Sequence, residues 1–144
     1  MVAIFPSPDT YGQRSAQALE RHLAAADLCL QQREADALPM LRQTVDAWAA
    51  LRAERPEDGA VAWRYVLALH SLAISAAATG RGHEAASAAA TALHHARAGL
   101  PYARDEAARA TVTAHTAKLD ALAGQVGRGI AFISIDGGTW PYDD

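Results

Sequence analysis

Apolar residues along this chain recur at spacings of three and four, which is the pattern of amphipathic α-helices. Four apolar residues in the first third follow spacings of four, three and four, so they share one helix face: Leu19, Leu23, Ala26 and Leu30. Ser7-Pro8-Asp9 is a typical helix start, with a capping Ser followed by Pro and an acid. A first helix is therefore predicted from this start to about residue 32.

Four more helices are predicted from the same periodicity and its interruptions. The second begins near Asp36, because Asp can cap a helix and Pro39 is tolerated only in a first turn. The third covers residues 60–79 and ends at Gly80-Arg81-Gly82, which suits positive backbone angles. The fourth covers residues 83–98 and the fifth residues 103–126. About five helices joined by short turns are expected.

The fourth predicted helix has a face of small side chains, which allows a neighbouring helix to approach closely. That face consists of Ala85, Ala89, Ala92, Leu93 and Ala96. In the fifth helix the residues expected to point inward are Val112, Leu119, Leu122 and Val126.

An internal repeat relates successive helix pairs, and a repeat of this length is typical of stacked helical hairpins. A shift of 48 residues aligns Leu19 with Leu67, His22 with His70, Cys29 with Ala77 and Ala37 with Ala85. A shift of 47 residues aligns Gly80-Arg81-Gly82 with Gly127-Arg128-Gly129. The chain is thus predicted to contain two and a half helical hairpins.

The second hairpin resembles a tetratricopeptide repeat of the Ala-rich, longer-period type common in actinobacterial proteins. Leu72-Ala73, Gly80 and Ala85 match the family's order of a large and a small residue, a turn Gly and a packing Ala. The resemblance is strongest over residues 57–100. Gln32 replaces the turn Gly in the first unit, and Asp120 replaces the small residue in the third. The resemblance implies an all-α, right-handed array of antiparallel hairpins in residues 1–129.

A generic five-helix bundle is the alternative, because Ala-rich helices imitate the repeat pattern. Both interpretations predict a mostly helical bacterial protein.

The resemblance also implies a concave groove, lined by the first helix of each pair, that receives a protein or peptide. The residues placed there are Leu19, His22, Ala26, Leu30, Leu67, His70, Ile74 and Ala78. The two histidines would give hydrogen-bonding specificity or pH-dependent binding, since imidazole titrates near neutrality. Alternatively they are solvated or core-edge residues without a binding role.

Residues 130–144 form a non-helical tail of β-branched, apolar and aromatic residues. Its candidate interaction residues are Ile130, Phe132, Ile133, Ile135, Trp140 and Tyr142. An apolar segment of this kind aggregates if it is left in water, so something is expected to cover it. Either it folds back as a cap on the helices, or it pairs with another chain.

Composition and charge narrow the possible functions. The net charge is −3 and the basic residues are scattered, which argues against a nucleic-acid partner. The single Cys29 lies between two leucines and is expected to be a buried thiol without a disulfide. The N-terminus lacks the features of a secretion signal, and no apolar run approaches the length of a membrane span. A cytoplasmic protein without a membrane partner is expected.

Catalytic and metal chemistry find little support in the sequence. His94-His95 is the nearest approach to a ligand cluster, but adjacent helical residues point about 100° apart and cannot easily chelate one ion. The serines Ser71, Ser75 and Ser87 lie in helical patterns without a nucleophile motif. We therefore expect no enzyme activity, no metal and no cofactor.

The leading hypothesis is a helical-repeat adaptor that binds a protein or peptide through an apolar concave groove. One alternative is a homodimeric structural or regulatory protein whose tail is paired between subunits. Another is a docking-domain substrate whose terminus, residues 137–142, is modified. The sequence does not identify the partner.

Overall fold

The computed structural model describes residues 10–99 and 105–123, and all regular secondary structure in these two ranges is α-helical. The helices are α1 (Thr10–Leu30), α2 (Glu34–Glu54), α3 (Gly59–Ala78), α4 (Gly82–Gly99) and α5 (Glu106–Ala123). The predicted all-α class with five helices is confirmed. The predicted start at residues 7–9, the end of the fifth helix at residues 124–126 and the tail at residues 130–144 lie outside the described residues.

Each helix packs against its neighbours in sequence, and α3 also touches α1 and α5. Arg14 near the start of α1 forms an ion pair with Glu54 at the end of α2, so these two helices are antiparallel. Arg42 in the first half of α2 donates to both carboxylate oxygens of Glu84 in the first turn of α4, at 2.8 Å each. The arrangement is compatible with stacked hairpins.

Helix α3 occupies the centre of the stack and supplies much of its core. It contributes the fully buried Trp63 and Ala73, and the nearly buried Val66 and Leu69. By length and composition α3 could cross a membrane, so the expectation that no apolar run approaches that length was wrong. However, 72% of its apolar window is buried inside the protein, and a core helix has the same composition.

The small-residue face predicted for α4 is confirmed as a packing surface. Ala85, Ala89, Ala92 and Ala96 are completely buried, and Leu93 packs at the edge of the same core. Because Ala side chains end at Cβ, α3 and α5 can approach α4 closely along this face. On α5, Val112 is fully buried as predicted, whereas the side chains of Leu119 and Leu122 are not among those described.

The turns after α1 and α3 have the same backbone geometry, 48 residues apart. Gln32 has φ 61° and Gly80 has φ 78°, both in the left-handed region. In each turn the next N–H donates back to a carbonyl five residues earlier: Arg33 to Leu28 at 2.9 Å, and Arg81 to Ala76 at 2.8 Å. This is the Schellman C-cap, in which Gly is the usual residue. The repeat found in the sequence is therefore real at both turns, although the first one lacks Gly.

The predicted start of the second helix was wrong by two residues. Helix α2 begins at Glu34, and Asp36 lies in its first turn, where its carboxylate accepts from Arg33 at 2.9 Å instead of capping the backbone. Pro39 lies inside the helix beyond the first turn. Pro39 and Ala35 are both exposed, so water can satisfy the Ala35 carbonyl that lacks an amide donor.

The loop between α2 and α3 fixes the start of α3 through one carboxylate. Asp58 is the N-cap and accepts from the Val61 N–H at 3.1 Å. Its second oxygen accepts from the Tyr11 hydroxyl at 3.0 Å, and the Arg55 guanidinium lies 4.0 Å from the centre of the Tyr11 ring. Burial and the neighbouring Asp58 carboxylate raise the pKa of Tyr11, so its hydroxyl stays a donor. The starts of α1 and α3 are thereby held together.

Candidate partner-binding surface

Helix α1 has two apolar stripes, and the fold covers the second only in part. The buried stripe consists of Tyr11, Ala18, His22, Ala25 and Cys29, and buried Ala26 borders it. The second stripe, which we call the α1 seam, consists of Gly12, Ala16, Leu19, Leu23, Ala26 and Leu30. All of its residues except Ala16 come immediately after a residue of the first stripe. Since adjacent helical residues point about 100° apart, the two stripes face different directions.

The spacing within the α1 seam alternates four and three from end to end. This is the heptad pattern by which one helix packs along another with knobs in holes. Within this stripe Ala26 is buried and Leu19 is half-buried, so the part open to another helix is centred on Leu23 and Leu30.

Two residues of the α1 seam are strongly exposed. Leu23 is 47% exposed and Leu30 is 63% exposed. Among the described residues, these two are the exposed large hydrophobic side chains. They are seven residues apart, two helical turns along the same line, with half-buried Leu19 one turn before Leu23. The three leucines form a contiguous apolar strip on the protein surface.

The ion pair with α2 shows which way the α1 seam faces. Arg14, which pairs with Glu54 of α2, is nine residues before Leu23 and so lies about half a turn around the helix from it. The α1 seam therefore faces away from α2.

Two polar contacts hold α1 against α3 beside the α1 seam. The His22 Nε2 lies 3.2 Å from the Ser71 Oγ, and the Cys29 Sγ lies 3.2 Å from the Ser75 Oγ. Cys29 is a buried free thiol, as predicted, and burial raises its pKa. These contacts fix the side of α1 next to the α1 seam.

His22 is a core residue in the folded protein. Its side chain is almost completely buried, and burial together with the nearby Arg64 guanidinium lowers its pKa to about 4. The folded protein therefore keeps His22 neutral across physiological pH. Its contact with Ser71 is a hydrogen bond between two neutral groups.

The eight residues predicted to line the groove have very different exposures. Five are buried: His22, Ala26, Leu67, His70 and Ile74. Leu19 is half-buried, and Leu30 and Ala78 are exposed. A partner can touch the last three side chains without any rearrangement of the core. The binding role of all eight stays a prediction.

Sequence reasoning omitted Leu23 from the candidate binding residues and did not consider the acids beside it. Glu20 and Asp27 are both exposed, and each follows a residue of the α1 seam. The heptad spacing that extends the stripe back to Gly12 is present in the sequence. Which of the two α1 stripes faces the core cannot be read from that spacing, because both are apolar.

The histidine pair on α4 lies against α3. The His95 ring is 5.1 Å from the Tyr65 ring and 5.2 Å from the His94 ring, measured between centroids. Burial, Arg52 and His94 lower the pKa of His95. In the part of the chain that the structure describes, no group of three or more His, Cys, Asp or Glu side chains is arranged to hold a metal ion.

The class of fold comes from the structure of the described residues, and not from comparison with known proteins. It is an all-helical protein with sequentially packed helices. No family model, no curated protein and no solved structure matches it.

Proposed function

We propose that this protein is a cytoplasmic adaptor that binds a helical segment of another protein along the α1 seam. The stack of antiparallel hairpins would be a short right-handed array of the tetratricopeptide type. Three features support the array: the 48-residue repeat, the matching turns at Gln32 and Gly80, and the contacts of α3 with both α1 and α5.

The observation that carries the proposal is the exposure of Leu23 and Leu30 on one line of α1. Scattered single apolar residues are ordinary on protein surfaces, but a heptad-spaced strip is the surface that an amphipathic helix needs. The repeat resemblance also implies partner binding along the first helix of each pair, and α1 is the first of these helices. Arg42 of α2 and Glu84 of α4 form an ion pair, so the second helices of the first two pairs present charged groups instead.

A helix packed on the α1 seam would bury the remaining exposed area of both leucines. Full burial of a Leu side chain stabilises by about 1.5–3 kcal/mol, so the exposed parts of Leu23 and Leu30 are each expected to contribute about 1 kcal/mol. Loss of either one should weaken binding about fivefold.

The test starts with peptides of about 20 residues, since that length covers a helix as long as α1. A displayed library is selected against the full chain, and the dissociation constants of selected peptides are measured by fluorescence anisotropy. We expect the selected sequences to share apolar residues at heptad spacing. Leu23→Ser and Leu30→Ser should each weaken binding about fivefold, and the double variant more than tenfold.

Matched controls are Gln17→Ser and Ala24→Ser, which are exposed on α1 away from the α1 seam. Both should bind the peptides like the natural protein, and circular dichroism should show all five variants equally helical. If the double Leu variant binds as tightly as the natural protein, or the controls lose as much affinity, then the α1 seam is not the binding surface.

A further inference from the structure

Acidic side chains line one border of the α1 seam. Glu20 follows Leu19 and Asp27 follows Ala26, so the two acids are seven residues and about 10 Å apart along α1. In a heptad they occupy the same flanking position, where charged residues set partner choice. Both are exposed.

Neither acid has a cationic partner in the described part of the chain. Asp27 accepts from the Gln31 amide at 2.8 Å, which leaves its charge uncompensated. Arg64 of α3 acts electrostatically on His22 and lies 5.8 Å from the centre of the Trp48 ring of α2. The Arg64 guanidinium therefore lies by Trp48 of α2, the helix that the α1 seam faces away from.

A second copy of this chain is a poor occupant of the α1 seam. In an antiparallel pair of α1 helices the same flanking positions meet, so Glu20 and Asp27 would face the acids of the other copy. In a parallel pair the acids would face the positions of Ser15, His22 and Cys29, which offer no cation at neutral pH because His22 is kept neutral.

The remaining segments of the chain are also poorly matched in charge. Residues 1–9 contain one acid and no Lys or Arg, and residues 124–144 contain three acids and a single Arg. Neither segment offers two cations at a seven-residue spacing.

We infer that the partner of the α1 seam is a basic amphipathic helix, whose Lys or Arg residues recur every seven positions beside its apolar stripe and pair with Glu20 and Asp27. This inference rests on the proposed function. Electrostatic matching of this kind chooses among apolar helices that would otherwise bind alike.

The test uses two designed helical peptides with the same heptad Leu and Ala stripe. One has Lys at the positions flanking the stripe and the other has Glu, and each is stapled on its outer face to keep it helical. Binding to the full chain is measured by anisotropy at low salt and at high salt. We expect the Lys peptide to bind about tenfold more tightly at low salt, and the difference to shrink at high salt because exposed pairs are screened.

Glu20→Lys/Asp27→Lys should reverse the preference, so that the Glu peptide binds more tightly. The matched control is Asp46→Lys/Glu57→Lys, which changes the net charge equally at exposed acids of α2 and the following loop. It should keep the preference for the Lys peptide.

Each other outcome overturns the inference in a different way. Equal binding of the two peptides removes the role of charge and leaves the proposed function standing. Reversal in the control variant as well would show an effect of net charge alone. If the mass of the natural protein doubles as its concentration rises, and bound peptide is released at the same time, then a second copy occupies the α1 seam. If neither peptide binds, the proposed function fails together with the inference.

Discussion

Gln32 occupies a backbone conformation that L-residues with a side chain adopt at a cost. Its φ of 61° is matched at the equivalent turn by Gly80, which has no Cβ to be strained there. We therefore predict that Gln32→Gly raises the free energy of unfolding by about 1 kcal/mol. Chemical denaturation followed by circular dichroism measures this change.

The control for Gln32→Gly is Gln17→Gly, in the exposed middle of α1. There the backbone is helical, so Gly should lower the free energy of unfolding by about 1 kcal/mol. Equal destabilisation at both positions would show that the turn does not hold Gln32 in the left-handed region.

His22 makes the stability of the protein depend on pH. Its pKa in the folded state is about 4, below the ordinary value of 6.5, so the fold favours the neutral imidazole. The stabilisation is complete above pH 6.5 and is lost as the pH falls from 6.5 towards 4, because the unfolded chain then takes up the proton. We predict a loss of about 3 kcal/mol of unfolding free energy between pH 7 and pH 4 from this residue.

The contribution of His22 is isolated by denaturant titrations at several pH values in the natural protein and in His22→Gln. The variant cannot bind the proton, so its stability should fall much less between pH 6.5 and pH 4.5. His83→Gln, at an exposed histidine, is the control and should keep the natural pH dependence. Identical pH profiles for all three proteins would contradict the burial of a neutral His22.

At the scale of the helix, α4 shows how a face of small residues sets the distance between elements. Ala89 is completely buried on that face, whereas Ala90 is exposed. We predict that Ala89→Leu lowers the free energy of unfolding by about 1–3 kcal/mol, because the extra atoms have no space in the close packing of α4. Thermal and chemical denaturation measure the effect.

Ala90→Leu is the matched control for the same chemical change one residue away. Leu and Ala have similar helix propensities, so its effect should stay within about 0.5 kcal/mol. A similar loss at both positions would mean that helix propensity, and not close packing, explains the Ala-rich sequence.

At the scale of the whole molecule, the apolar tail is the feature with the largest expected effect. We predict that deletion of residues 130–144 lowers the melting temperature and leaves the protein monomeric, because the tail is expected to cap the helices. A change in mass measured by light scattering would favour pairing of the tail between chains instead. An unchanged melting temperature with unchanged mass would contradict both capping and pairing.

Much of the helical architecture could be predicted because its causes are local. The 3–4 periodicity and the Pro and Gly interruptions act within a few residues of themselves, so α3 and α4 were placed to within about a residue. The prediction that Asp36 caps α2 was wrong because its carboxylate accepts from Arg33 instead of from the backbone of α2. A residue pattern does not show whether a carboxylate accepts from a neighbouring side chain or from the backbone N–H groups of the helix.

The sequence by itself determined the helices, the small-residue face of α4 and the repeat that relates Gln32 to Gly80, since these depend on spacing along the chain. Only the tertiary structure decided which apolar stripe of α1 is buried and which remains open. Both stripes satisfy helical periodicity, and Leu23 is as apolar as any core residue. The choice was made by contacts across the stack, where Ser71 and Ser75 of α3 meet His22 and Cys29 and leave Leu23 and Leu30 in solvent.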